Sequence, residues 1–267
     1  TTLFSQNKYY FQQELKYEID VILNDEDHTL SAYEKIAYKN NSPDELTFIW
    51  FHVWPNAYKD NSTAFAKQAG PNSSFAKSDS LDRGYIDSLD FKVDGKQVDW
   101  SFHPEWKDVI KIELNQPLEP GKTIDIETPF FVKIPKVFSR LGHTGKHYEI
   151  TQWYPKPAVY DHKGWHPMPY LNQGEFYSEF GTFDIKITLP KDYRVMATGD
   201  LVNGQDEYFW LDSLTTLTDS LNSLSKDQLK KWVETREKTK LEIKDTDTSS
   251  LSSELKTLHF RQTNVHD

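Results

Sequence analysis

Period-two alternation of apolar and polar residues recurs along most of this chain, and it restricts the fold more than any other feature. In LKYEIDVIL, Tyr17, Ile19, Val21 and Leu23 share one side and Glu18 and Asp20 the other. That is the spacing of a strand with one face in a core and one in water. NDEDH supplies a turn, and LSAYEKIAY reads as the returning strand. LTFIWFHVW, Leu46 to Trp54, is apolar almost throughout, which predicts a strand buried on both faces. Ile86 to Val93 and Lys96 to Phe102 flank Asp94-Gly95, a dipeptide that favours a tight hairpin. Val109 to Leu114 and Thr123 to Phe131 read as strands on either side of the turn PLEPGK. Tyr177 to Leu189 alternates through Phe183, Ile185, Ile187 and Leu189, and Pro190-Lys191-Asp192 turns into Tyr193 to Ala197. About ten short strands in succession predict an antiparallel all-β fold rather than βαβ units. Periodicity alone leaves sandwich and barrel both open.

Two stretches break the pattern. Asn56 to Gly84 is polar and carries Gly70-Pro71 and Asn72-Ser73-Ser74. A connection that long is expected to be functional or partly helical. Residues 211–255 form a helical and loop insertion. Leu211 to Leu224 is rich in Ser, Thr, Asp and Leu, and Ser225 with Gln228 fits a capping box. Lys226 to about Lys238 then reads as a helix with Leu229, Trp232 and Val233 on its apolar side. IKDTDTSSLSSE reads as a surface loop, and Leu255 to Arg261 as one last strand. The start, TTLFSQNKYY, has neither an initiator Met nor a signal-peptide pattern, so the chain is expected to be processed or trimmed. Stopping at NVHD just after a strand suggests a cut boundary. Residues 1–267 are expected to be one domain.

Composition narrows the function classes. At 267 residues and 37% hydrophobic content, the chain is long enough to bury a sizeable core. An aromatic content of 14% is unlike that of disordered chains. A net charge of -10 argues against a nucleic-acid partner, which needs a basic face. No cysteine is present, so disulfides and thiolate chemistry are excluded. No apolar run reaches the length of a membrane span. The N-x-S/T patterns at Asn40, Asn61 and Asn72 are short enough to arise by chance.

No complete catalytic constellation appears. His143 and His147 are four apart, as are His162 and His166, but each pair encloses a Gly and neither carries the Glu of a helical HExxH site. They read as solvent or structural histidines, with a loop-built zinc site as the alternative. Asp79 with Asp82, or Asp87 with Asp90, are the acid pairs a glycosidase-like reaction would need. DTDTSS, around Asp245, lacks the Gly and the closing Glu of an EF-hand loop. No Gly-rich phosphate loop and no G-x-S-x-G elbow occurs. The expectation is therefore no catalytic residue, no metal ligand and no cofactor in this chain.

One segment differs. Tyr148 to Tyr170, YEITQWYPKPAVYDHKGWHPMPY, carries six aromatics and four prolines and is too irregular for one helix or strand. Gln152, Trp153 and Tyr154 follow an alternating run and so sit at a strand end. The Gln152 amide offers both donors and an acceptor, which suits it to hold a polar substrate group. Gln152 at the surface with the aromatics filling a corner of the sandwich is the other reading.

Ile150 to Tyr170, together with GEFYSEFGTFDIKITLPKDYRVMATGDL ending at Leu201, resembles the N-terminal domain of the aminopeptidase N family of HExxH zinc metallopeptidases, in a Bacteroidetes-like branch. That resemblance implies a large, saddle-shaped, β-sandwich-like domain without catalytic residues. It implies that Gln152, Trp153 and Tyr154 bind substrate, where a T-Q-x-E-P motif reaches into the catalytic cleft. Gln152 matches the motif glutamine and Pro155 its proline. Tyr154 stands where many members carry a glutamate that holds the substrate's free amine, which puts strict aminopeptidase specificity in question. The zinc, the HExxH and the Gly-rich exopeptidase motif would lie in a catalytic domain of the same polypeptide, with peptide as substrate. This chain alone would then be inactive. The branch implies a periplasmic, secreted or cell-surface location. Nothing in residues 213–255 matches the family pattern. Two alternatives stand beside it. One is a free β-sandwich module that binds glycan or peptide through Trp153, Tyr154, Tyr160 and Trp165. The other is a β-rich hydrolase built on an acid pair.

Overall fold

Strands Glu14–Asn24 and Thr29–Lys39 form the centre of the molecule, pairing antiparallel with Ile19 opposite Glu34. Along the first strand Leu15, Tyr17, Ile19, Val21 and Leu23 are buried and every intervening residue is exposed, as the alternation predicts. Each such side chain contributes about 1.5–3 kcal/mol by leaving water. A computed structural model describes residues 10–243 and 254–266.

These strands belong to a nine-stranded sheet. Strand Thr123–Lys133 pairs with Thr29–Lys39, and Gly181–Pro190 lies on the other side of Glu14–Asn24. The latter pairing is parallel, with Tyr17 beside Phe183 and Ile19 beside Ile185. Every other pairing between strands of this sheet is antiparallel. Strand Leu255–Val265 follows on Gly181–Pro190, and among the described residues its far edge pairs with the short strand Asp200–Leu201. Next to that short strand, Asn203 covers the edge with side-chain bonds, accepting from His259 N at 2.7 Å and donating to Thr257 O at 3.2 Å. These contacts cover the middle of that edge.

A four-stranded sheet lies against the first and contains Lys156–Pro157, Leu46–His52, Val109–Leu118 and Trp100–Phe102. Phe51 from it meets Phe91 at 5.1 Å between ring centroids, and one apolar core takes residues from both sheets. The architecture is therefore predominantly β and sandwich-like. The Asp94-Gly95 turn forms as predicted, with both residues at positive φ, 49° and 74°. The strands it joins are short, because the chain crosses from one sheet to the other between Gln97 and Trp100.

Two local expectations need correction. Leu46–His52 is not buried on both faces. Phe48 and Trp50 are half-buried, covered only in part by Trp165 and His103. The strand ends before Pro55, which starts a 3-10 turn at Trp54–Tyr58. Tyr193–Ala197 joins no sheet. The long excursion is partly helical, as expected, in the short helix Ala64–Ala69, capped by Thr63 Oγ1 accepting from Ala66 N at 3.2 Å.

Among the described residues, the insertion holds two helices, Phe209–Asn222 and Lys226–Ile243. The second starts at the predicted capping box: Ser225 N donates to Gln228 Oε1 at 2.9 Å and Gln228 N to Ser225 Oγ at 3.4 Å. In the first, which lies within the Ser- and Thr-rich stretch, the hydroxyls are satisfied by bonding back to carbonyls one turn earlier. Ser213, Thr215, Thr216, Thr218 and Ser220 all do so. None of its residues is buried. The Asp245 motif lies outside the described residues.

Candidate functional site

The inner face of the large sheet is not covered to its end. Phe183, Ile185 and Ile187 on strand Gly181–Pro190 remain half-buried, while the neighbouring central strand is fully covered. Above them is a cleft of about 680 Å³. These three residues, with Leu189 and Phe260, form its floor. Residues Lys146 to Tyr154 form one wall, and Tyr193 to Thr198, the segment that joins no sheet, form another. All three sequence-predicted site residues, Gln152, Trp153 and Tyr154, line this cleft.

The first wall is held from its upstream end. Strands Gly142–Thr144 and His147–Glu149 make a hairpin, with His143 opposite Tyr148. Gly142 is required there, since a Cβ would stand 2.6 Å from the Val137 Cα. Asp25, in the turn after the first strand, ties the hairpin down. Its Oδ2 accepts from Lys146 Nζ at 2.8 Å and from Tyr193 OH at 2.8 Å. One carboxylate thus joins both walls. Burial alone would raise the Asp25 pKa, but the bonds from Lys146 and Tyr193 outweigh it and leave the carboxyl below its usual range. Beside it, His28 Nδ1 bonds Tyr148 OH at 2.7 Å, and the His28 ring stacks on His143 at 3.6 Å. Burial, first, and then neighbouring cationic groups hold both imidazoles below their usual pKa.

Gln152 sits where the wall turns. Its φ is +56°, a left-handed conformation that costs a non-glycine residue about 1–2 kcal/mol. It is 8% exposed. Its Oε1 accepts from Lys156 Nζ at 3.1 Å. Lys156, itself 3% exposed, also donates to Ser178 Oγ at 3.2 Å, and its Nζ stands 4.1 Å above the centre of the Trp54 ring. Trp54 is fixed in turn by its Nε1 donating to Met168 O at 3.0 Å and by stacking with His52. His52 Nε2 accepts from Met168 N at 3.1 Å, so the neutral ring carries its proton on Nδ1. Burial, and then the Lys156 charge, hold it well below the usual histidine pKa. Sequence gave no sign of Lys156, since a lysine between two prolines ordinarily faces water.

Trp153 and Tyr154 pack inward. The Trp153 ring meets Phe130 at 5.8 Å, and Tyr154 is edge-on to Tyr17 at 5.6 Å and to Phe183 at 6.0 Å. Tyr160 and Trp165 lie elsewhere, paired with each other across the hairpin Tyr160–Asp161 and Gly164–Trp165.

The other sequence candidates are dispersed. His147 is exposed and meets Glu149 at 3.0 Å, and His166 bonds Asp161 at 2.8 Å. Asp82 pairs with Lys136, Asp87 caps Ser88 N, and Asp90 accepts from Gln97. Among the described residues, no group of three or more His, Cys, Asp or Glu side chains is placed to hold a metal ion, and no helix is long and apolar enough to cross a membrane.

No protein-family model matches the sequence, and no curated protein matches it. Solved structures do show a likeness. The M1 zinc metallopeptidase from Deinococcus radiodurans is 13% identical with a TM-score of 0.43, the match covering 95% of this chain and 39% of that one. A mutant of it gives 13% and 0.45 with the same coverage. The mutant bound to a Tyr-Ser-Ala substrate gives 12% and 0.43, covering 94% and 39%. The chain spans 39% of the length of these structures. A likeness at this identity and TM-score does not define a family.

Proposed function

We propose that this chain is the non-catalytic N-terminal domain of an aminopeptidase-like zinc metallopeptidase and supplies one wall of its substrate cleft. The observation that carries this reading is the position of Gln152. The residue matching the motif glutamine lies in a strained backbone turn on the wall of the cleft, beside the half-buried apolar floor. Strain of this kind persists where surrounding structure enforces it, and functional sites are where it concentrates.

In this reading residues 1–267 form one domain and residues 211–255 are an insertion in it. Phe183, Ile185, Ile187 and the 72% exposed Met196 would dock against the catalytic domain of the same polypeptide. The zinc and the HExxH helix belong to that domain, peptide is the substrate, and the protein acts in the periplasm, at the cell surface or as a secreted enzyme. Gln152 would offer hydrogen bonds to the peptide. Tyr154 supplies no negative charge at neutral pH, so recognition of a free amine would rest on other groups.

The test is the parent gene and its product. An HExxH-bearing segment downstream of Asp267, with one zinc per chain and hydrolysis of aminoacyl reporters, is the expected result. A full-length product with no such segment and no peptidase activity would sink the reading.

A further inference from the structure

We propose that the outer face of the four-stranded sheet is a second binding site, separate from the cleft, that takes a neutral β-linked glycan chain along a strip of aromatic rings. On strand Leu46–His52, Ile49 and Phe51 turn into the core, while Phe48 and Trp50 alternate with them and stay half-buried. Rings from the loop after Trp100–Phe102 and from the hairpin at Tyr160 to Trp165 extend this pair in both directions. Trp50 meets His103 at 5.0 Å between ring centroids, and His103 stacks on Trp106 at 4.2 Å. Phe48 meets Trp50 at 6.1 Å and Trp165 at 5.9 Å, and Trp165 meets Tyr160 at 4.9 Å. Each of these rings keeps part of its surface in water, and none lines the cleft. Contiguous apolar patches rimmed by polar groups are where soluble proteins take ligands or partners.

The groups beside the rings select the ligand. Across the strand pair, Glu113 is the neighbour of Phe48 and Lys111 the neighbour of Trp50. Lys111 Nζ pairs with Glu113 at 2.6 Å and stands 5.3 Å from the centre of the Phe48 ring, so the two charges cancel beside the strip. A nucleic-acid strand also stacks on rings, but it needs unpaired cations along its path. An extended peptide adds to a strand edge, whereas this is the face of a sheet. A neutral sugar chain matches what is present. When its hydroxyls are equatorial, as in β-1,4-linked glucose or xylose, both faces of each sugar are C–H surface that packs on aromatic rings. Its hydroxyls both donate and accept. The indole N–H groups of Trp50, Trp106 and Trp165 meet no acceptor among the described residues, unlike that of Trp54, which donates to Met168 O at 3.0 Å. They can donate to hydroxyls, and the Glu113 carboxylate can accept from them.

The experiment uses the full chain labelled with ¹⁵N and titrated with cellohexaose, xylohexaose and decaproline. The indole signals of Trp50, Trp106 and Trp165 report the strip, that of Trp153 the cleft wall and that of Trp54 the core. A saturable shift of the strip signals with at least one hexasaccharide is expected, while Trp153 and Trp54 stay still. The matching disaccharide should bind more weakly, since it reaches fewer rings. Trp50→Ala and Trp106→Ala should each weaken binding about 2- to 10-fold, the worth of one aromatic contact. Trp106 lies outside the strands, so its variant decides should Trp50→Ala lose the Trp54 signal. No saturable response to either hexasaccharide overturns the inference, as does binding that survives the Trp106 change undiminished. A response to decaproline alone also overturns it and makes the strip a peptide surface. A hexasaccharide that moves Trp153 and leaves the strip signals unchanged rejects the strip in favour of the cleft.

Discussion

The His28 and His143 rings stack face to face, 3.6 Å apart and 19° from parallel, although 115 residues separate them. The stack fastens the hairpin behind Gln152 to the turn after the first strand. Both imidazoles have pKa values below the usual histidine, through burial first. A depressed folded-state pKa means that the unfolded chain binds more protons once the pH falls below about 6.5, so stability is lost in that direction. His28→Gln or His143→Gln should therefore cost stability at pH 7.5 and progressively less toward pH 5. Urea midpoints at four pH values between these would show it. A constant difference would mean that the stack does not resist protonation.

Glu34 gives a prediction of the opposite sign. It is fully buried opposite Ile19 and Thr128, and among the described residues neither carboxyl oxygen has a hydrogen-bond partner. Burial raises its pKa well above the usual carboxylate, so the folded state keeps the proton. Such a group stabilises at low pH, and its contribution is lost as the pH rises above the unfolded value of about 4.3. Glu34→Leu should stabilise the chain at pH 8 by about 1–3 kcal/mol, the cost of an unpaired buried polar group. The gain should shrink toward pH 4. Denaturant unfolding at both pH values checks it, and a destabilised Leu variant at pH 8 would point to a partner for Glu34.

Backbone strain at Gln152 can be isolated from its side chain. Gln152→Ala and Gln152→Gly both remove the amide that meets Lys156, but only glycine relaxes a φ of +56°. The glycine variant should be more stable than the alanine variant by about 1 kcal/mol. Equal stabilities would mean the turn adjusts and no strain is held there. If the proposed function holds, Gln152→Ala should lower the catalytic efficiency of the full-length protein about 2- to 10-fold with zinc content unchanged.

These tests also mark what could be read from sequence. The alternation in LKYEIDVIL and LSAYEKIAY showed which side of each strand is buried, because one face meets a core and the other water. It could not show that Glu14–Asn24 pairs in parallel with a strand beginning at Gly181. That contact is non-local and leaves no period in either segment. Gln152 was visible as a polar residue at a strand end, whereas Lys156 was not. Its buried setting comes from Trp54 and Ser178, about 100 residues before it and 22 after, and the intervening distance in sequence carries no pattern. Leu211 to Leu224 was obscured for a different reason. Its hydroxyl residues have low helix preference, and their bonds to carbonyls a turn earlier are seen only once the helix exists.

Tyr154 carries the sharpest consequence for specificity. Tyr154→Glu restores the charge that the resemblance assigns to this position, and if the proposed function holds it should favour substrates with a free N-terminal amine. The ring it replaces, however, is 7% exposed and sits edge-on against Tyr17, Phe183 and Trp153. Removing a buried aromatic ring costs about 3–5 kcal/mol, and a carboxylate in its place would be poorly solvated. The variant should therefore lose several kcal/mol of stability, while Tyr154→Phe keeps the packing and loses far less. Thermal unfolding of the two variants measures this, and the ratio of rates on free and acetylated peptides measures the change in preference. If Tyr154→Glu is as stable as Tyr154→Phe, the ring is not part of the core. If it is unstable and the ratio is also unchanged, the tyrosine packs the wall and does not stand in for the amine-binding group.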